Sequence, residues 1–178
     1  MKFLIASDVH GSYYYAKKLV DAANSEGVDK IILLGDIFNH GPRNPLPKEY
    51  APIKVAELLN SEKGRLLVVK GNCDSQVDTM ISEFDFLDNA LVISGGKTVF
   101  LTHGHVFNKE NMPKTKFDAV VYGHFHTGFI ERINDVVVAN AGSVSLPKNN
   151  TLNSFILLDE STLELKDFDG NSIQKIEL

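Results

Sequence analysis

Short apolar runs that stop at an Asp, Asn or His recur along this chain, and they restrict it to an α/β fold with one reactive edge. Lys2 to Ser7, Lys30 to Leu34 and Arg65 to Lys70 are apolar without alternation, the pattern of parallel strands buried on both faces. Asp8 and His10 follow the first run, Asp36 the second, and Asn72 and Asp74 the third. His103 and His105 follow Val99 to Thr102, and His124 and His126 follow Ala119 to Tyr122. Open α/β sheets bind ligands at the carboxyl ends of their strands, so these five strand ends feed one edge.

Between the first two strands, Ser12 is placed to cap a helix whose apolar face is Ala16, Leu19, Val20 and Ala23, and Gly27 stops it. Val55 to Leu59 continues a second amphipathic helix. Pro42, Pro45 and Pro47, with Pro52 just beyond, exclude a helix from Ile37 to Glu49. Strand and helix alternating in this way predict a mainly parallel sheet with right-handed crossovers. From Asn89 onward the texture is β: Leu91 to Ser94, Phe129 to Ile133, Val136 to Ala139, Ser154 to Leu158 and Leu163 to Phe168 join the two histidine-terminated runs. Turn signals at Gly95-Gly96, Asn134-Asp135, Asn149-Asn150 and Asp169-Gly170 separate them.

No linker or composition break divides these halves. With 178 residues, 43% of them hydrophobic, the chain suffices for one domain burying about 70% of its unfolded surface. The expected architecture is a single α/β domain over residues 1–178, a four-layer α-β-β-α sandwich. Two mixed sheets share one core, helices flank them, and the ligand edge lies at the strand carboxyl ends.

The 18 Lys and Arg against 23 Asp and Glu give a net charge of -5. That balance argues against a nucleic acid or an anionic membrane as partner. The longest apolar runs, such as Ile31 to Leu34, fall far below the roughly 20 residues of a membrane span. Cys73 is the only cysteine and cannot form an internal disulfide; with no signal-peptide pattern, a cytoplasmic protein is expected.

Taken singly, an Asp after a strand is a turn or cap residue and a His is a satisfied polar group. Jointly they mean more, because all six histidines fall in predicted loops and only His40 stands apart from the clusters. Imidazole mixed with carboxylate suits Mn, Fe, Zn, Co or Ni rather than calcium. Seven such groups are too many for one ion. Two ions about 3.5 to 4 Å apart, sharing a carboxylate, would use them, and that arrangement serves in-line displacement at phosphorus.

Asp8-Val9-His10, Gly35-Asp36, Gly71-Asn72-Cys73-Asp74, His103-Gly104-His105 and Gly123-His124-Phe125-His126 resemble, in order and composition, the five motifs of the calcineurin-like metallophosphoesterases. The stretch Leu34 to Asn44, with Gly-Asn-Cys-Asp later, more narrowly resembles the small bacterial YfcE-type phosphodiesterases. The likeness implies that Asp8, His10 and His126 hold one ion, that Asn72, His103 and His124 hold the other, and that Asp36 bridges them. It implies two divalent ions, Mn foremost with Fe, Zn, Ni or Co as alternatives. A metal-bridging hydroxide would then hydrolyse small phosphodiesters.

Three other expectations stand beside that one. A phosphomonoesterase would use the same fold. A metal-binding scaffold without activity, similar to the small retromer subunit, would commonly have lost ligands, and here all seven positions hold competent groups. A nuclease lacks the basic, aromatic-interleaved surface it needs. The resemblance also leaves a homo-oligomer open.

Around the ligands, Asp74 either orients a neighbouring imidazole or caps the segment starting near Ser75. Cys73 stands where many of these proteins carry a His thought to protonate the leaving oxygen. A thiol of pKa roughly 8.5 is the poorer acid at neutral pH. His105 would supply that proton or contact the phosphate, and Cys73 could instead simply fill the site edge. Asn72, Arg43 and His40 are the candidate substrate contacts, Arg43 because a guanidinium grips phosphate oxygens in pairs. Tyr13, Tyr14 and Tyr15 are read as packing residues.

Overall fold

In the computed structural model, which describes residues 1–178, the first three strands are apolar except for Lys2 and Lys30 at their starts, because each strand serves two cores. β1 (Lys2–Ala6) and β2 (Lys30–Leu33) pair in parallel, and β3 (Leu66–Val69) pairs in parallel with β2. Leu4, Ile31, Leu33 and Val68 face one way, onto Ala16 and Leu19 of α1 (Tyr13–Ser25) and Val55 and Leu59 of α2 (Pro52–Ser61). Ile5, Ile32 and Val69 face the other way, onto Val99, Leu101, Val121 and Ala139 of a second sheet.

Local chemistry sets the helix ends. Ser12 is extended at φ -74° and ψ 106°, and its hydroxyl accepts the Tyr15 N–H at 3.4 Å. Gly27, at φ +62°, turns the chain away just beyond α1. Pro52 opens α2, where its missing N–H costs nothing. Tyr13 and Tyr15 pack against the core, as expected for that triplet. Tyr14 lies under the Lys48 ammonium, 3.5 Å from its ring centre.

The short β4 (Phe86–Leu87) extends the first sheet beyond β3. The second sheet comprises β5 (Ala90–Ser94), β6 (Lys97–Leu101), β7 (Ala119–Tyr122), β8 (Phe129–Ile133) and β9 (Val136–Asn140), in the order β5-β6-β7-β9-β8. Its middle strands β6, β7 and β9 are parallel. The chain then returns to the first sheet as β10 (Ser154–Asp159), antiparallel to β1, followed by β11 (Thr162–Asp167) and β12 (Ser172–Glu177). The two mixed sheets sharing one core are as expected.

The flanking layers differ from expectation on one side. Both α-helices lie on the first sheet, and the outer face of the second is covered by an irregular segment, residues 102–118. Phe107, Met112 and Phe117 of that segment pack on Phe100, Val120, Tyr122 and Val138. Asn108 and Asn111 exchange their backbone hydrogen bonds, both 3.1 Å, in a tight turn, and Pro113 follows. This backbone cannot continue as helix.

Candidate metal centre

Six parallel strands, not five, deliver their carboxyl ends to one edge, and the chain there is forced into rare conformations. Asp8, His10, Asp36, His124 and His126 all have positive φ, between +50° and +64°. For residues other than glycine such backbone costs on the order of 1–3 kcal/mol each and concentrates at functional sites. Glycines allow the loops to touch. A Cβ on Gly71 would lie 2.2 Å from Asp36 Oδ1, and one on Gly123 would lie 1.9 Å from Ser7 Oγ and 2.6 Å from Asp8 Oδ2.

Main-chain carbonyls fix the imidazoles. Nδ1 of His10 donates to the Asn39 carbonyl at 2.7 Å, Nδ1 of His126 to Leu146 at 2.6 Å, and Nδ1 of His103 to Leu34 at 2.6 Å. A carbonyl only accepts, so each ring keeps its proton on Nδ1 and turns a bare Nε2 lone pair into the site. The Nε2 atoms of His10 and His126 then face each other 3.1 Å apart. Asp8 Oδ1 lies 3.5 and 3.3 Å from these two atoms, is buried, and has no hydrogen-bond partner.

A second set repeats the pattern. His103 Nε2 faces the Asn72 amide, 3.0 Å from Oδ1, and His124 Nδ1 at 3.3 Å. Asp36 sits between the sets: Oδ2 is 3.8 Å from His10 Nε2 and Oδ1 is 3.5 Å from His103 Nε2. The ligating atoms of Asp8, His10 and His126 lie within 4.8 Å of one another, as do those of Asp36, His103 and His124. Lone pairs aimed at lone pairs in a dry site repel unless a cation lies between them, so this donor set fits two divalent ions.

The electrostatics agree. Burial alone would raise the Asp8 carboxyl, but the His10 and His126 imidazoles, where they carry a second proton on Nε2, outweigh it and hold it well below the usual carboxylate range. Burial, then the His103 ring, lowers His124 to about 4, which leaves it neutral and able to ligate at neutral pH. Burial opposes protonation of His10, yet the Asp8 carboxylate holds it above the ordinary imidazole value, so protons compete with ions there in acid.

Asp74 does not cap the segment at Ser75. Ser75 caps the 3-10 turn Gln76–Met80 itself, with Asp78 completing a capping box. Asp74 instead accepts three buried backbone N–H groups: Oδ2 from Asp36 at 2.8 Å and Gly71 at 2.7 Å, Oδ1 from Ile37 at 2.8 Å. It ties the loop after β3 to the loop after β2 and so fixes Asp36. Burial raises its pKa against the opposing N–H groups of Ile37 and Gly71.

The remaining candidates separate. The Cys73 N–H donates to Asp36 Oδ1 at 2.8 Å, and its sulfur lies within 4.8 Å of the His10 and Asp36 ligating atoms. Burial, then the Asp36 charge, pushes the thiol up to about 12, so it stays protonated. Arg43 lines a cavity of about 630 Å³ over the metal edge, with Asn72, Cys73, His124 and His126. His40 does not line it; its ring stands edge-on to Tyr50, 5.3 Å between centroids. His105 lies 5.4 Å from the His103 ring and faces a separate depression with Asn72 and Asp74. Burial, then His103, lowers it below the ordinary imidazole value.

Sequence reasoning missed the groups after β9. Ser143 and Ser145 hydroxyls both donate to the Asp8 carbonyl, at 2.8 and 3.1 Å, and Asn140 Nδ2 donates to Gly123 O at 2.7 Å. They pin the two ligand loops. Their signal was the run Val136 to Asn140 ending in polar residues, the rule already applied to five other strands. Phe125 and Lys148, which also line the cavity, carried no signal of their own.

If the centre is built for ions, loading should stabilise the fold. At about a hundred times its Kd a ligand adds about 2.7 kcal/mol, which in a protein of this size raises Tm by roughly 5–10 °C. Thermal melts in Mn against a chelator measure this; identical melting curves would contradict the assignment.

The family profile described as the calcineurin-like phosphoesterase superfamily domain matches residues 1–163. Phosphodiesterase YfcE of Escherichia coli K12 is 40% identical over 175 residues, 97% of this chain and 95% of that protein. The solved structure of the Escherichia coli phosphoesterase YfcE superposes with a TM-score of 0.95 at 38% identity, covering 99% of each chain. Zinc-bound Vps29 of Entamoeba histolytica, at a TM-score of 0.65 and 20% identity over 99% of each chain, shares the fold. Motifs in order, a donor set suited to divalent ions and a profile covering most of its length lead to one conclusion: the chain belongs to the calcineurin-like phosphoesterase superfamily.

Proposed function

We propose that this protein is a metal-dependent phosphodiesterase that hydrolyses small phosphodiesters at a dinuclear centre. The observation that carries this reading is Asp36 set between two groups of inward-facing imidazole lone pairs. Asp8, His10 and His126 would hold one ion, Asn72, His103 and His124 the other, and Asp36 both. Two bound divalent ions supply a nucleophile at neutral pH and polarise phosphoryl oxygens. Mn is the preferred ion, with Fe, Zn, Ni and Co as alternatives.

The chain's own groups define the rest. Asn72 presents its amide oxygen beside His103 and its amide N–H toward the Cys73 sulfur, at 3.4 Å. Cys73, with its thiol at about 12, is a weak acid, so the leaving group departs largely unaided and good leaving groups are favoured. The neutral imidazole of His105, turned toward a separate depression, does not serve as proton donor in this reading. Asp74 acts by positioning Asp36. The YfcE relative is a named phosphodiesterase, which supports the diester reading over the monoester one.

The test is parallel turnover of bis(4-nitrophenyl) phosphate and 4-nitrophenyl phosphate with Mn, alongside elemental analysis. The expected result is faster diester cleavage and two ions per chain. Faster monoester cleavage would make the protein a monoesterase. No turnover with any of the divalent ions, in a protein that binds them, would support a scaffold.

A further inference from the structure

Three side chains of the cavity above the metal edge offer positive charge or an aromatic face that no ion needs. Arg43 comes from the loop after β2, Lys148 from the loop after β9, and Phe125 lies between His124 and His126. Neither cation has a carboxylate within ion-pairing distance, although the chain as a whole is acidic. Asp36 is the only carboxylate lining the same cavity, and it faces the imidazoles.

The three groups stand on fixed backbone. The Lys148 N–H donates to the His126 carbonyl at 2.9 Å, which ties it to a ligand loop. Arg43 sits between Pro42 and Pro45 in a turn held by Gly41 N–H to Asn39 Oδ1 at 2.8 Å and Asn44 Nδ2 to the His40 carbonyl at 2.9 Å. Phe125 is 47% exposed, its ring edge-on to His124 at 5.1 Å and to Tyr122 at 6.1 Å, which leaves part of it open to solvent.

A simple phosphodiester carries a single negative charge, and that charge belongs at the ion cluster. Two further unpaired cations on the rim, with an open aromatic ring beside them, match a substrate whose retained arm has a second anionic group and a planar ring. We infer that Arg43 and Lys148 bind a second phosphate and that Phe125 stacks on a base, so that the preferred substrate is a nucleotide-sized diester bearing an extra terminal phosphate. This rests on the hydrolase reading above and narrows it. The same net acidity that disfavours long nucleic acid is no obstacle to one nucleotide.

The experiment compares three nitrophenyl esters with Mn-loaded protein: thymidine 5'-(4-nitrophenyl phosphate), the same compound with a 3'-phosphate, and methyl 4-nitrophenyl phosphate. The 3'-phosphorylated ester should have a kcat/KM about tenfold above its parent. Arg43→Ala and Lys148→Ala should each reduce that ratio and the double variant should bring it to one. Phe125→Ala should lower both thymidine esters relative to the methyl ester by roughly five- to tenfold. Calorimetric binding of thymidine 3',5'-bisphosphate against thymidine 5'-monophosphate reads the same preference without turnover.

A tenfold tighter bisphosphate that loses its advantage in the double variant, with no ester cleaved, keeps this site and removes the hydrolase reading. Equal cleavage of both thymidine esters, or a preference undiminished in the double variant, overturns the inference and leaves the hydrolase reading standing.

Discussion

Replacing Asp36 by Asn is expected to cost about 10³-fold or more in kcat/KM while the protein stays folded. An ion that polarises a phosphoryl oxygen contributes several kcal/mol at the transition state, and tenfold in rate corresponds to about 1.36 kcal/mol. Asn retains one carbonyl oxygen, which can keep the 2.8 Å bond from the Cys73 N–H. Its amide nitrogen then takes the place of Oδ2 and faces His10 Nε2, where a carboxylate lone pair was. The backbone N–H of residue 36 still reaches Asp74, so the loop keeps its path. Steady-state kinetics, metal content and near-ultraviolet circular dichroism test this together. A variant that still holds two ions and loses less than tenfold in rate would remove Asp36 from the bridging position.

Asp74→Ala should act first on the fold. Three buried N–H groups, on Asp36, Ile37 and Gly71, lose their only side-chain acceptor at once. Hydrogen bonds to a charged group contribute about 1.5–3 kcal/mol each, and the orphaned donors add a desolvation cost. Water entering the space left by the carboxylate recovers part, so the expected destabilisation is about 3–5 kcal/mol, a large share of a stability of about 5–15 kcal/mol. Activity at a temperature where the variant is folded should fall a further ~10- to 100-fold, because Asp36 is no longer held. Asp74→Asn should recover only part, since its amide nitrogen meets one of the N–H groups. Urea denaturation of the three proteins decides: a loss under about 1 kcal/mol would mean the two loops hold their shape without Asp74.

Much of the architecture was legible because burial and chemistry coincide at the strand ends. An apolar run has to stop where the chain leaves the core, and in this chain the stopping residues are the candidate ligands. The helix caps at Ser12 and Gly27 were readable because they act within a few residues of sequence. β12 was not, because most of its side chains are exposed and its place depends on pairing with β11 rather than on an apolar face. The covering segment over the second sheet was also hidden, since scattered Phe107, Met112 and Phe117 carry no period.

Within the site, residue type was readable and direction was not. Arg43 and His40 belong to one proline-rich loop, yet only Arg43 reaches the cavity, and the turn that parts them depends on contacts with Tyr50 and Asn44. Asp74 illustrates the same limit. Its neighbour Ser75 offered a local role, whereas its actual partners lie 37 and 38 positions away as well as three.

The carbonyls of Asn39, Leu34 and Leu146 hold the three imidazoles in place. Any amino acid at those three positions offers the same oxygen, so the tautomers are inherited from the route of the main chain and not from the identity of a neighbouring side chain. Mutational drift around the centre can therefore be wide without disturbing the ligands, provided the loops keep their course. Evolution of a new specificity in the wall above would leave the reactive apparatus beneath it intact.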